Sequence, residues 1–301
     1  MIMQGFYNIL KEIYPEKFGL KEDCLLYHYT TIDTFDKLVE EGGELYCTHY
    51  MDLNDDVEFW KGFGYFEGWV SRKCKSDLGT QLPEIMDVFG KLKSVWKRMH
   101  KLYVDATWVM SFTTEKDSLS QWRFYTDRTN GGVAIGFGKK VLEEELQKCS
   151  GKDIDGISVM LMPCIYYASG VDARLDAVLE RVIEKIDIKS PSGYEELARI
   201  IQLFSSIIKD SSFESEHEWR IIIQASNVDA LKGAKVVGGK ARLPLGVGVC
   251  GEHRVGMLMK EILLSPHGDK NRLLHSVLLP KYSFPDLRYV VRSSSLPYNG
   301  N

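Results

Sequence analysis

Late in the chain, Glu216-His217-Glu218-Trp219-Arg220 runs straight into Ile221-Ile222-Ile223. Consecutive β-branched residues favour a strand, and the two-residue period of a strand sends neighbouring side chains to opposite faces. A strand that is apolar on both faces is central and covered on both sides. Any fold for this chain must therefore bury the middle of a sheet. It must also compensate two carboxylates where that strand begins, because lone buried carboxylates are costly. A strand over Glu216–Gln224 puts Glu216, Glu218 and Arg220 on one face, with His217, Trp219 and Ile221 on the other. Arg220 supplies the local compensating charge. The acids then form either a structural Glu–Arg pair or the border of a cleft.

The remaining pattern mixes short strands and helices without regular alternation, which predicts an α+β fold with a mixed sheet. Strands are expected at Leu25–Thr30, Glu44–Tyr50, Ala106–Thr113, Gly132–Phe137, Val159–Tyr167, Glu261–Ser265 and Leu287–Arg292. Helices are expected at Thr31–Glu41, Ser118–Thr126 and Lys140–Gln147, from Asp269 onward, and over most of Asp172–Asp210 with a break near Pro191. Two more helical stretches fall between Val57 and Leu102. No linker is visible, so residues 1–301 are taken as one domain with a helical insertion at about 57–102.

The 301 residues suffice for a substantial core. A net charge of −4 argues against a strongly cationic nucleic-acid binder but allows a local basic patch. Lys93, Lys97 and Lys101 share one helix face, which is either solvated or a phosphate track. The six cysteines show no Cys-x-x-Cys pair and there is no His-Glu-x-x-His run, so no metal site is expected. Scattered cysteines read as reduced thiols of a cytoplasmic protein. The first nineteen residues read as an amphipathic helix rather than a signal peptide. The longest apolar stretch, 157–168, contains Pro163 and is too short for a bilayer, so no membrane partner is expected.

Two further motifs carry polar chemistry. In Leu26-Tyr27-His28-Tyr29-Thr30, His28 and Thr30 share a strand face, so His28 is either a hydrogen-bonded core residue or a ligand contact. On the 118–126 helix, Ser118, Trp122 and Tyr125 fall at i, i+4 and i+7. Trp122 suits core packing, and Tyr125 can wall a flat ring. Gly131 to Gly138 is not a dinucleotide loop: the glycines flank a strand, and Lys139-Lys140 is not followed by the Ser/Thr of a P-loop. A hairpin with close backbone approach is the expectation there.

As a set, these motifs resemble a bacterial family of domains of unknown function. The set comprises Leu26 to Thr30, Asn54-Asp55-Asp56-Val57-Glu58, Ser118 to Tyr125, Gly132 to Phe137, Glu216 to Arg220 and Lys260 to Pro266. That family in turn is similar to the ADP-ribosyltransferase superfamily of the His–Tyr–Glu kind, and the likeness implies a split β-sheet core with flanking helices. It implies NAD as substrate, with His28 on the ribose and adenosine side and Tyr29 and Thr30 also among the cofactor-binding residues. It implies Tyr125 or Trp122 as the ring that stacks on nicotinamide, with Ser118 also among the cofactor-binding residues. Glu218 would contact the nicotinamide ribose and Glu216 would orient the acceptor. Tyr29 stands where the poly-ADP-ribose enzymes often carry glycine. The implied activity is transfer of ADP-ribose to nucleic acid or protein, or to water in a glycohydrolase. The implied setting is a toxin or phage-defence effector, with an antitoxin or regulatory protein as partner. A non-enzymatic binding or scaffold protein on the same fold is the alternative.

Overall fold

The computed structural model describes residues 2–39, 45–53, 58–73, 82–98, 107–151, 157–187, 189–225, 234–237, 239–244, 258–283 and 288–297. The chain begins with α1 (Ile2–Ile13), α2 (Pro15–Phe18), β1 (Leu25–Thr31), α3 (Ile32–Val39) and β2 (Tyr46–His49). Then come α4 (Glu58–Lys73), α5 (Leu82–Arg98), β3 (Thr107–Thr113), α6 (Leu119–Tyr125), β4 (Gly132–Gly138) and α7 (Lys139–Gly151). Next are β5 (Ile157–Pro163), β6 (Ile165–Tyr167), α8 (Ala173–Ile183), α9 (Pro191–Ile207), β7 (Ile208–Asp210) and β8 (Glu218–Ala225). The last elements are β9 (Lys235–Val237), β10 (Lys240–Pro244), β11 (Met259–Leu264), α10 (Lys270–Ser283) and β12 (Val290–Ser293).

Among the described residues one large mixed sheet runs β12-β11-β4-β1-β3-β2-β10-β9, with β8 joining β3 to β5. Its pairs are antiparallel except β11 with β12. All eight residues of β8 are buried, as the isoleucine run requires. Ile222 packs under a helical layer built from α1, α4, α5, α8 and α9. Trp219, Ile221 and Ile223 pack on the opposite face, with side chains of α3, α7 and α10. The 57–102 stretch is therefore not peripheral where it is described, because α4 and α5 share their core with α8 and α9. Gly62 on α4 makes that packing possible. A Cβ there would lie 2.6 Å from the Cα of Ser205 on α9, so only glycine permits the helices to cross so closely.

Three local expectations change. Residues 159–167 form two strands rather than one: Pro163 ends the pairing with β8, and β6 then runs parallel to β7. The 208–210 segment is accordingly a strand rather than the tail of a helix. Gly138 leads directly into α7 at Lys139, so the glycine-rich segment does join a strand to a helix and is not a hairpin. Its close backbone approach is present, since a Cβ on Gly132 would meet the carbonyl oxygen of Thr30 at 2.3 Å. Gly42-Gly43, Asn54 to Val57, Lys101 and the side chains of Lys93 and Lys97 lie outside the described residues. Among the described residues no helix is long and apolar enough to cross a membrane.

Candidate functional site

The sheet parts at β1. That strand pairs with β4 along its whole length, from Leu25↔Gly138 to Thr31↔Gly132, but meets β3 only at Tyr27↔Thr113. The same edge of β3 pairs with β2 further back, at Thr48↔Val109 and His49↔Trp108. Between those contacts, Ser111 and Phe112 line a crevice with Tyr27, His28, Tyr29, Gln121, Tyr125, Glu216 and Glu218. First strand, middle helix and late acids thus converge, although far apart in sequence.

His28 is partly buried and spans the parting. Its Nδ1 lies 2.9 Å from the carbonyl oxygen of Ser111. A carbonyl only accepts, so Nδ1 carries the proton and Nε2 is left as an acceptor. Burial holds the imidazole pKa below its ordinary value, which keeps the ring neutral.

The acids are organised by a cation that the sequence does not announce. Lys209 of β7 bonds Glu216 at 2.5 Å and also bonds Glu218. Arg220 donates from Nε to Glu218 at 2.7 Å, from Nη1 to the Ser206 carbonyl oxygen at 2.6 Å, and from Nη2 to Glu58 of α4. Both oxygens of Glu218 are therefore held. Burial alone would raise its pKa, but Arg220 and Lys209 outweigh that and keep it well below the usual carboxylate range. Glu216 differs, because burial wins over Lys209 and its pKa is raised. Three carboxylates against two cations leave one excess negative charge when all are ionised. The tyrosine on α6 registers it: burial, then Glu216 and Glu218, push Tyr125 up to about 12.

Glu216 and Glu218 do not sit on one regular strand. Ser211–Glu216 is a 3-10 turn, and His217 adopts φ 42, a left-handed conformation uncommon outside glycine. His217 Nδ1 contacts Glu115 at 2.7 Å. The alternation holds from Glu218 onward, with Glu218 and Arg220 facing α9 and Trp219 facing away.

The two candidate aromatics of α6 differ in packing. Trp122 is fully buried, edge-on to Tyr29 at 4.6 Å, and its Nε1 donates to Asp117. Tyr125 faces the crevice, and among the described residues its hydroxyl makes no hydrogen bond. Of the sequence-selected residues, His28, Tyr29, Tyr125, Glu216 and Glu218 meet at the crevice, whereas Thr30, Ser118 and Trp122 do not line it. Thr30 is buried further along β1, and Ser118 precedes α6, its amide donating to the Tyr29 hydroxyl at 3.1 Å and its side chain making no capping bond. Gln121 was not selected, although its i, i+4 spacing to Tyr125 puts both on one helical face.

A family model described as protein of unknown function (DUF2971) matches residues 121–221. The matched span begins at Gln121 and contains Tyr125, Lys209, Glu216, Glu218 and Arg220, but not β1 with His28. No curated protein and no solved structure matches the chain.

Proposed function

We propose that the chain cleaves the nicotinamide–ribose bond of NAD and transfers ADP-ribose to a macromolecular acceptor. The supporting observation is the shared crevice of His28, Tyr125, Glu216 and Glu218, whose two acids have pKa values displaced in opposite directions. Paired carboxylates separated in this way take different roles. Glu218 stays ionised and faces the sugar as positive charge develops on it. Glu216, more easily protonated, accepts a proton from the attacking hydroxyl or water. The neutral His28 offers Nε2 to a ribose hydroxyl, and Tyr125 stacks on the departing ring.

Magnitudes are adequate for this. One excess negative charge about 4 Å from the developing cation, at an effective dielectric of about 20, is worth about 4 kcal/mol. That is about a thousandfold in rate. The cavity itself is small, about 50 Å³, against the roughly 150 Å³ that accommodates benzene. Admission of a pyridine carboxamide therefore requires a side chain to move. Tyr125, at the last position of a seven-residue helix, is the side chain assigned to that movement.

The test is nicotinamide release from labelled NAD by wild type and Glu218→Gln, with circular dichroism to verify folding. The expected result is turnover by wild type and about a thousandfold loss in the variant, with NAD binding retained. Label kept on RNA, DNA or protein identifies the acceptor class, and free ADP-ribose identifies hydrolysis. No turnover by wild type, or equal turnover by the folded variant, refutes the proposal. One observation favours the alternative of a non-enzymatic binding protein. Glu218 is 5% exposed and both its oxygens are engaged, as in a purely structural ion pair. Absence of turnover is that reading's outcome.

A further inference from the structure

We infer that Gln121 is the residue that reads the carboxamide of a pyridinium ligand in the crevice, an inference that rests on the NAD reading above. Gln121 is 7% exposed and lines the crevice beside Tyr125. Among the described residues its amide makes no hydrogen bond. Neither amide atom is fully buried, so two donors and an acceptor with two lone pairs stay open to a ligand in the crevice. The group that satisfies both ends at once presents a donor and an acceptor side by side. A primary carboxamide does so: its NH₂ donates to Gln121 Oε1, and its oxygen accepts from Gln121 Nε2.

An adenine edge offers the same pairing, so charge must decide between them. The crevice contains the Glu216 and Glu218 carboxylates and carries an excess negative charge from the cluster behind it. The nicotinamide ring of NAD is a cation, whereas adenine is neutral. The anionic end therefore selects the pyridinium, and Gln121 selects its substituent. The small cavity agrees, since one ring with a three-atom substituent demands less widening than a purine.

Two cations of equal charge isolate the amide: 1-methylnicotinamide and 1-methyl-3-acetylpyridinium, the second lacking the NH₂ donor. Their binding to the full chain is read by NMR titration, without any need for turnover. Wild type should prefer the carboxamide by at least about tenfold, and Gln121→Met, of similar size and apolar, should bind the two equally. Lack of preference in wild type, no binding of 1-methylnicotinamide, or a preference surviving in Gln121→Met each overturns the inference. A misfolded variant leaves the wild-type preference as the deciding measurement. A parallel comparison of NAD with its hypoxanthine counterpart tests the competitor. If Gln121→Met alters that discrimination and not the first, the amide reads the purine and the inference fails while NAD recognition stands. If the carboxamide preference holds but NAD is not cleaved, the hydrolytic or transfer chemistry fails and the recognition survives.

Discussion

The imidazole of His28 reaches across the parting of two strands to the backbone of Ser111, with Nδ1 2.9 Å from the carbonyl oxygen. That bond stands where a strand ladder is missing, so it both closes the sheet and fixes the tautomer. His28→Phe keeps ring volume but removes both functions. The expected cost is about 1 kcal/mol of stability and a tenfold or greater rise in the dissociation constant for NAD, read by thermal melts and titration calorimetry. Because the ring is neutral at and above its ordinary pKa of 6.5, NAD affinity should be flat from pH 7 to pH 8. A His28-dependent change across that range is incompatible with Nε2 acting as an acceptor.

Lys209 should be indispensable to the acid pair. Lys209→Met leaves Glu58, Glu216 and Glu218 facing Arg220 alone. Breaking a buried ion cluster by removing one partner costs about 3–5 kcal/mol, and the carboxyl pKa values should rise. Glu218 sets the pH dependence. Its folded pKa is depressed, so its contribution is fully present above the ordinary value of 4.5 and is lost as pH falls below it. Denaturant melts of wild type should show that loss beginning below pH 4.5. In Lys209→Met the loss should begin at the same pH, which the unfolded chain sets, but be smaller and finish at a higher pH, and coincident acid limbs would refute the coupling.

Much of this architecture is legible from side-chain periodicity. The isoleucine run announces a central strand, and Glu218 and Arg220 follow its alternation correctly. Glu216 is misplaced because alternation assumes extended backbone, and the left-handed turn at His217 lies outside that assumption. Lys209 is invisible for a different reason. Within Ile207-Ile208-Lys209-Asp210 it reads as the end of a helix, and only the pairing of β7 with β6 turns its ammonium toward the acids. Pro163 was the available signal that the strand there breaks. Gln121 is legible in its spacing to Tyr125, but the Ser118–Trp122–Tyr125 stripe mixes a crevice residue, Tyr125, with a core aromatic, Trp122, and leaves Gln121 out.

His49 predicts a second acid-sensitive element. Burial lowers its pKa from 6.5 to about 4, and it packs edge-on against Trp108 at 5.2 Å. A histidine whose folded pKa is depressed binds its proton first in the unfolded chain. Stability is therefore lost as pH falls from 6.5 toward 4, by about 3 kcal/mol in all. His49→Phe should flatten stability across that window while leaving the loss below pH 4.5 that belongs to Glu218. A variant with the wild-type slope between pH 6.5 and 4 excludes His49 as its source.

The helix crossing at Gly62 links packing to the site, because Glu58 lies one turn earlier on α4 and bonds Arg220. Gly62→Ala gains helix propensity of about 1 kcal/mol. Against that, the new methyl meets backbone at 2.6 Å, with Ile208 at 3.1 Å behind it, and overpacking of this kind costs about 1–3 kcal/mol. The clash should win, since the nearest atom is a Cα that cannot rotate away. A net loss of about 1–2 kcal/mol is expected, together with weaker hold on Glu58. Gly64, where a Cβ meets nothing within 4 Å, is the internal control. Gly64→Ala should be neutral or stabilising, and equal effects at the two positions would show that propensity rather than the α4–α9 crossing governs this helix.

The raised pKa of Glu216 makes a kinetic prediction separable from Glu218. As proton acceptor it must be deprotonated, so the rate of ADP-ribose transfer should fall as pH drops through a value above glutamate's ordinary 4.5. Glu216→Gln should remove that limb and slow transfer by about 10²–10⁴-fold, the usual contribution of a positioned base. Formation of the sugar cation depends on Glu218, so slow NAD hydrolysis should persist in Glu216→Gln and be lost in Glu218→Gln. The two variants should therefore differ in the ratio of free ADP-ribose to modified acceptor, measured from one labelled pool. Identical ratios would mean that the two acids act as a single unit through Lys209, and the division of roles between them would have to be abandoned.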